Sequence, residues 1–196
     1  MTFAGLAGVF GLIFVLELPD KTMFATIMMS ARARPLMVFV GAASAFVVHM
    51  AIATLLGGLL VKLPHTVRDS VVAVAFLGGA AYLLFIPEKK QEEEGSKEAS
   101  REVRSTRFRE ALTAFTVIFI GEFGDLSQIQ AANLVAKTHQ ILEVFVGATA
   151  ALVTVSALGA FMGQTLVRYL PLAKIRVGGG LIFAGLGIYT VVGLFS

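Results

Sequence analysis

The stretch ELPDKT, residues 17–22, places two acids, a lysine and a proline inside a long apolar run. The chain reads FAGLAGVFGLIFVL at 3–16 and MFATIMMS at 23–30. A helix needs about 20 predominantly apolar residues to cross a bilayer, so residues 3–30 could form one membrane span. Ionisable residues within a span are costly and are typical of ion and substrate pathways. This stretch therefore predicts a functional site inside the membrane.

The composition points to the same class of protein. Hydrophobic residues make up 57% of the chain, charged residues only 15%, and the mean hydropathy is +0.83. The long apolar runs predict an all-α integral membrane protein, and they lack the alternation of a barrel. With no cysteine in the chain, disulfides are excluded. We attribute the net charge of +3 to membrane topology and expect no nucleic-acid partner.

The apolar runs predict six transmembrane helices joined by short polar breaks and one longer charged segment. That segment, residues 87–110, is rich in both charges and reads as a solvated linker. It divides the chain into a first three-helix unit at 1–86 and a second at 111–196. The predicted spans are 3–30, 36–61, 67–86, 111–136, 141–167 and 175–195.

The basic residues outside the spans predict the orientation in the membrane. One side of the predicted bundle receives the linker together with Arg32, Arg34, Arg168, Lys174 and Arg176. The other side receives Lys62, Arg68 and Lys137. Loops rich in lysine and arginine remain cytoplasmic. We therefore expect a multi-pass cell-membrane protein with a cytoplasmic linker and both termini extracytoplasmic.

A second acidic motif indicates an internal duplication. The stretch EFGDLS, residues 122–127, lies mid-span, and Glu122 and Asp125 each follow Glu17 and Asp20 by 105 residues. Further along, VFVGAASA at 38–45 corresponds to VFVGATAA at 144–151. Repeats of three spans must insert with opposite orientation, and such inverted repeats build a site near the midplane of the membrane.

Each motif offers oxygen ligands at a place where the helix is weakened. Its glutamate and aspartate are three residues apart and share a helical face, while Pro19 or Gly124 disfavours a continuous helix there. Backbone carbonyls freed by such a break are tolerated only where they are buried or line a cavity. The candidate metal ligands are Glu17, Asp20, Thr22, Glu122, Asp125 and Ser127, with Lys21, Gln128 and His49 as accessory candidates.

Four converging carboxylates require neutralisation by protons, by a multivalent cation or by a built-in cation. Competition between protons and a divalent metal for the same oxygens is the chemistry of a cation/proton exchanger. Oxygen ligands without thiolates favour hard ions such as Mn²⁺ or Ca²⁺. We expect no catalytic residue and no cofactor, since the metal is the transported substrate and H⁺ the counter-ion.

These features resemble a known family. Two copies of Glu-x-Gly-Asp-(Lys/Arg)-(Thr/Ser), a charged central linker and three-plus-three spans are similar to the Gdt-type cation/proton exchangers. The resemblance covers essentially the whole chain and implies transport of calcium or manganese through the six candidate ligands. Its bacterial manganese exporters are similarly short, which favours Mn²⁺ efflux. The chain departs from the pattern at Pro19, where the motif has glycine, and at Leu126, where it has a basic residue.

Several alternatives stay open at this stage. The acids could be structural ion-pair partners, with Lys21 either neutralising them or extending away. A small-solute exporter, for instance of amino acids, could use a similar scaffold. Asp20 and Asp125 could form the dyad of an intramembrane aspartyl hydrolase. A passive channel could also use the site. The expected partners are the divalent ion and the lipid bilayer, and the sequence leaves a homo-oligomer open.

Overall fold

The computed structural model describes residues 2–18, 20–85, 93, 106–169 and 172–194. Within these ranges the chain is helical and has no strand, which confirms the predicted all-α class. The first half contains α1 (Phe3–Glu17), α2 (Lys21–Ser30), α3 (Pro35–Leu60) and α4 (His65–Phe85). The second half contains α5 (Arg107–Gly121), α6 (Leu126–Thr138), α7 (Ile141–Tyr169) and α8 (Leu172–Leu194).

The helices have the length and hydropathy of membrane spans. Three segments qualify alone, namely α3, residues 141–162 of α7 and residues 177–194 of α8. Two more qualify if each bent pair, α1–α2 and α5–α6, counts as one span. The predicted span at 67–86 coincides with α4, which has 21 residues but is not among these five. Membrane insertion is thus supported, and the exact six-span arrangement stays a prediction.

Both predicted first spans are broken at their acidic motifs. The axes of α1 and α2 differ by 71°, and those of α5 and α6 by 67°. In the second motif the break follows from Gly124, whose φ of +78° is favourable for glycine and strained for other residues. The first motif has Pro19 at the corresponding place, but Pro19 lies outside the described residues, as does most of the predicted linker.

The two repeats interleave. The long helix α3 packs on α5 and α6 of the second repeat, and α7 packs on α1 and α2 of the first. The pairs α3–α7 and α4–α8 each join corresponding helices of the two repeats. Most helix pairs thus join one repeat to the other, and equivalent helices have equivalent partners. The apolar core contains residues from both repeats.

Two equivalent glycines allow the close approach of α3 to α5 and of α7 to α1. A Cβ atom at Gly41 would lie 2.2 Å from the carbonyl oxygen of Ala111. A Cβ atom at Gly147 would lie 3.0 Å from the side chain of Val9 and 3.2 Å from the carbonyl oxygen of Leu6. Both glycines are therefore close-packing positions.

Candidate metal centre

The four acids occupy equivalent places at the two helix breaks. Glu17 is the last residue of α1 and Asp20 is the N-cap of α2. Glu122 is the C-cap of α5 and Asp125 the N-cap of α6. N-cap aspartates usually accept a hydrogen bond from a backbone N–H of the first turn, but neither aspartate does so here. Their carboxylates are therefore not committed to capping their own helices.

Three of these carboxylates come together across the repeats. One oxygen each from Glu17, Asp20 and Asp125 lies within 4.8 Å of the other two. Glu122 lies outside this trio. Glu17, Asp20 and Glu122 are at most 3% exposed, and the Asp125 side chain is 13% exposed. The arrangement is compact enough for one cation to contact oxygens from both motifs.

The predicted hydroxyl ligands are also buried beside the breaks. Thr22 is fully buried and Ser127 is 2% exposed. Within the described part of the chain, the Thr22 hydroxyl, Oε1 of Glu17 and both carboxylate oxygens of Glu122 make no hydrogen bond. Buried polar atoms without a hydrogen bond are uncommon in folded proteins. Oxygens in this condition are suited to hold a cation or to carry a proton.

Lys21 extends from the first motif into the second. Its Nζ donates a hydrogen bond of 2.8 Å to the carbonyl oxygen of Gly121. The same atom lies 3.8 Å from Oε1 of Glu122 and 3.7 Å from Oδ1 of Asp125. Of the two roles the sequence left open for Lys21, this geometry favours neutralisation of the acids. The equivalent position in the second repeat is Leu126, so no matching lysine returns to the first motif.

The accessory candidates His49 and Gln128 form a hydrogen-bonded support behind the second motif. Nε2 of His49 lies 3.1 Å from the carbonyl oxygen of Phe119, which can only accept, so Nε2 carries the proton. Nδ1 then accepts from the Gln128 amide at 3.2 Å. That amide also donates to the carbonyl of Glu122, and its oxygen accepts from the N–H of Gly124. Both ring nitrogens of His49 are thus engaged within the protein.

The two breaks differ in exposure. Leu18, beside the first break, is 4% exposed, whereas the equivalent Phe123 is 64% exposed. Phe123, Gly124 and Gln128 border an apolar groove of about 480 Å³ between α3, α4 and α6. The second break is therefore more exposed at Phe123 than the first is at Leu18, although Glu122 itself is buried.

Side chains of α6 form a polar support that the sequence indicated only in part. The amide of Gln130 donates to the carbonyl oxygen of Ala75 at 2.6 Å, and that of Asn133 donates to Val72 at 3.1 Å. Both bonds attach α6 to α4. Both residues are polar and lie within the predicted span 111–136, which is the signal that the sequence offers for them. The carbonyl of Gly121 as an acceptor for Lys21 had no signal in the side-chain pattern.

Broken helices that bring acidic side chains together inside an apolar bundle are typical of one class of protein, the secondary ion transporters. Comparison with known proteins specifies the family. The family described as "Divalent cation/proton antiporter GDT1" matches residues 5–91 and 110–196. The chain belongs to this family, so it is a cation transporter and not an enzyme, which excludes the hydrolase alternative. The two matched segments also support the predicted duplication.

Individual relatives agree. GDT1-like protein 3 of Arabidopsis thaliana is 28% identical over 208 residues, covering 95% of this chain and 70% of the relative. GDT1-like protein 4 of Oryza sativa subsp. indica is 29% identical over 198 residues, covering 90% and 69%. Protein PAM71, chloroplastic, of Arabidopsis thaliana is 27% identical over 210 residues, covering 96% and 56%. No solved structure matches the chain.

Proposed function

We propose that the chain exports Mn²⁺ or Ca²⁺ in exchange for protons at a site formed by both acidic motifs. The observation that carries the proposal is the convergence of oxygens from Glu17, Asp20 and Asp125 within 4.8 Å. All three are hard oxygen donors, as Mn²⁺ and Ca²⁺ prefer. Thr22 and Ser127 would add neutral oxygens, and Glu122 contributes charge close by.

Exchange follows from the chemistry of the buried acids. A carboxylate must be deprotonated to bind a metal ion, so metal binding releases protons and protonation releases metal. Four carboxylates with Lys21 nearby leave a net negative charge that a divalent ion together with a proton, or protons alone, can balance. A buried site needs one of these partners at all times, because an uncompensated charge there is unfavourable. This condition couples the two ions.

The choice between the two metals depends on the ligands available. A histidine ligand would favour Mn²⁺, but the ring nitrogens of His49 already bond to Phe119 and Gln128. The remaining oxygen ligands suit either ion. We retain Mn²⁺ as the first candidate and test Ca²⁺ beside it.

The proposed location is a cell membrane, with the linker in the cytoplasm and both termini outside. The distribution of lysine and arginine supports this orientation. The lipid bilayer would then cover the many exposed apolar side chains, among them Leu55, Val74 and Leu181. A homo-oligomer stays a further candidate arrangement within that bilayer.

The direct test is transport by the purified protein in proteoliposomes that contain a pH-sensitive dye. We expect uptake of Mn²⁺ or Ca²⁺ to alkalinise the lumen, because protons leave as the metal enters, and we expect a lumen more acidic than the outside to drive uptake. Metal movement with no proton signal and no response to a pH gradient would contradict the exchanger and favour a passive channel. Absence of divalent-metal transport, together with amino-acid flux, would favour the solute exporter.

The solute exporter is less consistent with the site. A zwitterionic substrate needs a cationic partner for its carboxylate, and Lys21 is the basic residue of the two motifs. Its ammonium group already lies near Glu122 and Asp125. The metal proposal uses the acids without displacing this contact.

A further inference from the structure

The second helix break frees backbone groups that a continuous helix would pair. In an α-helix the carbonyl oxygen of Phe119 would accept from the N–H of Phe123, four residues further on. Here that N–H donates to the carbonyl oxygen of Ile120 instead, at 3.4 Å. Gly124, with a φ of +78°, lies beyond the end of α5, so its N–H is also outside the helical ladder. Within a membrane such groups need partners from the protein, because hydrocarbon offers none.

Two buried side chains pair these backbone groups. His49 is fully buried on α3, and its Nε2 donates to the carbonyl oxygen of Phe119 at 3.1 Å. The side chain of Gln128, on α6, reaches back over the break. Its oxygen accepts from the N–H of Gly124 at 3.2 Å, and its amide nitrogen donates to the carbonyl oxygen of Glu122. The two side chains, one from each repeat, thus bond to three backbone groups at the break.

His49 also determines which way the Gln128 amide faces. Because Nε2 of His49 carries the proton, Nδ1 is an acceptor, and it lies 3.2 Å from the amide nitrogen of Gln128. Turning this amide over would place its oxygen against Nδ1 and its NH₂ group against the N–H of Gly124. Two acceptors and two donors would then face each other. The orientation that bonds to the backbone of the break is therefore the one that His49 accepts.

In the first repeat, two of the three equivalent backbone groups need no side-chain partner. The carbonyl oxygen of Phe14, which corresponds to Phe119, accepts from the N–H of Leu18 at 2.9 Å, as in a continuous helix. At the position of Gly124 the first repeat has Pro19, and proline has no N–H. The two breaks thus differ in the number of backbone groups that require pairing.

The side chains beside the two breaks differ in the same way. Met23 occupies the position equivalent to Gln128, and Val155 the position equivalent to His49. Met23 and Val155 are buried and belong to one apolar cluster, which also contains Leu18. The polar pair is therefore present at the break that frees backbone groups, and an apolar pair replaces it at the other break. This correspondence links His49 and Gln128 to the shape of the second break.

We infer that His49 and Gln128 are positioning residues that hold the second helix break in the conformation that places Glu122 and Asp125. Gln128 bonds to the backbone of the break, and His49 orients Gln128. Neither side chain needs to touch the metal ion for this role. The inference rests on the proposed function, because the shape of the break affects transport through the acids that it places.

The first test is the Mn²⁺ affinity of the full-length protein in detergent, measured by calorimetry. Gln128→Met, which introduces the residue of the first repeat, should weaken binding by about 10- to 100-fold, as is typical when a group that orients metal ligands is lost. Gln130→Met is the matched control, because Gln130 is buried on the same helix and bonds to a backbone carbonyl away from the break, that of Ala75. It should bind Mn²⁺ like the parent. An equal loss in both variants would assign the effect to α6 as a whole and contradict the inference.

Hydrogen exchange of the metal-free protein distinguishes a positioning role from direct ligation by Gln128. The peptide that contains the N–H of Gly124 should exchange faster in Gln128→Met than in the parent, because that N–H loses its acceptor. In Gln130→Met the same peptide should exchange as in the parent. Unchanged exchange in Gln128→Met would show that Gln128 does not hold the break, and the inference would be wrong.

A double-mutant cycle tests whether His49 acts through Gln128. His49→Val, again the residue of the other repeat, should weaken Mn²⁺ binding by about 10-fold. In the Gln128→Met background the same substitution should add no more than about 2-fold, because the break has already lost its support. Fully additive losses would contradict the role assigned to His49. Should His49→Val not fold, His49→Gln serves in the same cycle.

The ring of His49 provides a test that needs no substitution in the pair. In ¹⁵N NMR spectra of histidine-labelled protein, its signals are assigned with the variants His65→Gln and His139→Gln, which remove the other two histidines. We expect a neutral ring with the proton on Nε2. A proton on Nδ1 would leave the carbonyl oxygen of Phe119 without its donor and would overturn the proposed orientation of Gln128.

These measurements separate failure of the inference from failure of the proposed function. If the parent binds no divalent ion, the proposed function fails, while hydrogen exchange and NMR still test how the break is held. If the parent binds Mn²⁺ and Gln128→Met binds it equally well, the proposed function stands and the inference fails.

Discussion

Asp20 and Asp125 stand where an aspartate ordinarily caps a helix, and neither uses its side chain for that purpose. An N-cap side chain typically contributes about 1 kcal/mol to helix stability. This contribution is absent here. Instead, one oxygen of each aspartate lies within 4.8 Å of the other and of an oxygen of Glu17. This placement supports the proposed ion site more than it supports a capping role for the two aspartates.

This leads to a prediction for the two aspartates. Asp20→Asn and Asp125→Asn keep the side-chain volume and remove a ligand charge, so Mn²⁺ binding should weaken by at least ~10-fold and transport should stop. The metal-free protein should remain folded and gain stability, because like-charge repulsion falls. Calorimetry and thermal unfolding in detergent measure both effects. Asp69→Asn, in the first turns of α4, is the control and should bind Mn²⁺ like the parent. Equal Mn²⁺ affinity in all three variants would contradict the proposed site.

The buried hydroxyls should matter less than the acids. Thr22→Ala and Ser127→Ala remove neutral oxygens for which water can substitute, so Mn²⁺ affinity should fall by less than in the aspartate variants, by roughly 2- to 10-fold. Transport should be slowed but retained. Titration of Mn²⁺ into each variant checks the order of effects. A loss as large as that of Asp20→Asn would show that a hydroxyl is a required ligand.

The residues of the candidate site could largely be named from the sequence, but the contacts between them could not. Two acids, a breaker and a hydroxyl recur in both halves, so the candidates could be named from the repeat alone. The contact of Lys21 with Glu122 could not be predicted from the sequence, because it depends on how one repeat packs on the other. The hydrogen bonds that engage both nitrogens of His49 were equally inaccessible, since one partner is a backbone carbonyl.

At the scale of the helices, the apolar runs predicted spans at 3–30 and 111–136, each with a weak point at Pro19 or Gly124. The structure divides each span into two helices at that motif. Apolar patterns cannot distinguish a straight span from a bent one, because both bury the same side chains. The breaker residues carried the missing information. At Gly124 the positive φ allows the chain to turn by 67° between α5 and α6.

Close packing of these broken spans gives a prediction for the glycines. Gly41→Ala places a Cβ atom 2.2 Å from the carbonyl oxygen of Ala111, so α3 and α5 must separate. Over-packing of this kind costs about 1–3 kcal/mol, and we expect a lower midpoint of thermal unfolding. Gly147→Ala should have a smaller effect, since its nearest contact is a side chain at 3.0 Å.

Gly8→Ala is the matched control for these two variants. A Cβ atom at Gly8 of α1 would meet nothing within 4 Å, so only helix propensity changes. The substitution should leave the unfolding midpoint unchanged or raise it, as alanine is favoured over glycine by about 0.5–1 kcal/mol in a helix. A Gly41→Ala protein as stable as Gly8→Ala would contradict the close approach of the two helices.

At the scale of the molecule, the duplication predicted two three-helix units, and the structure interleaves them. Each long helix packs on the broken span of the other repeat. Sequence alone shows that two copies exist, but not that their cores are shared, because apolar faces in a membrane can pack against helices or lipid. The shared core also explains how acids 105 residues apart meet at one point.

The orientation of the whole molecule is tested by cysteine labelling, for which the chain offers a background without native cysteines. A cysteine introduced at Ser96 in the linker should stay unlabelled by an impermeant reagent in intact cells. One introduced at Thr2 should be labelled. The expectation follows from the basic residues on the linker side. The reverse pattern would place the linker outside and invert the direction proposed for transport.

The dependence of metal affinity on pH tests the exchange mechanism as a property of the whole site. Protons and metal compete for the carboxylates of Glu17, Asp20 and Asp125, so Mn²⁺ affinity should fall as the pH falls. Each proton released on binding contributes about a tenfold change in affinity per pH unit where the carboxylates titrate. Calorimetry in buffers of different ionisation enthalpy counts the protons directly. In Asp125→Asn, fewer protons should be released and the pH dependence should be shallower. A parent protein whose Mn²⁺ affinity does not change with pH, and which releases no protons on binding, would bind its cation without the competition that an antiporter requires.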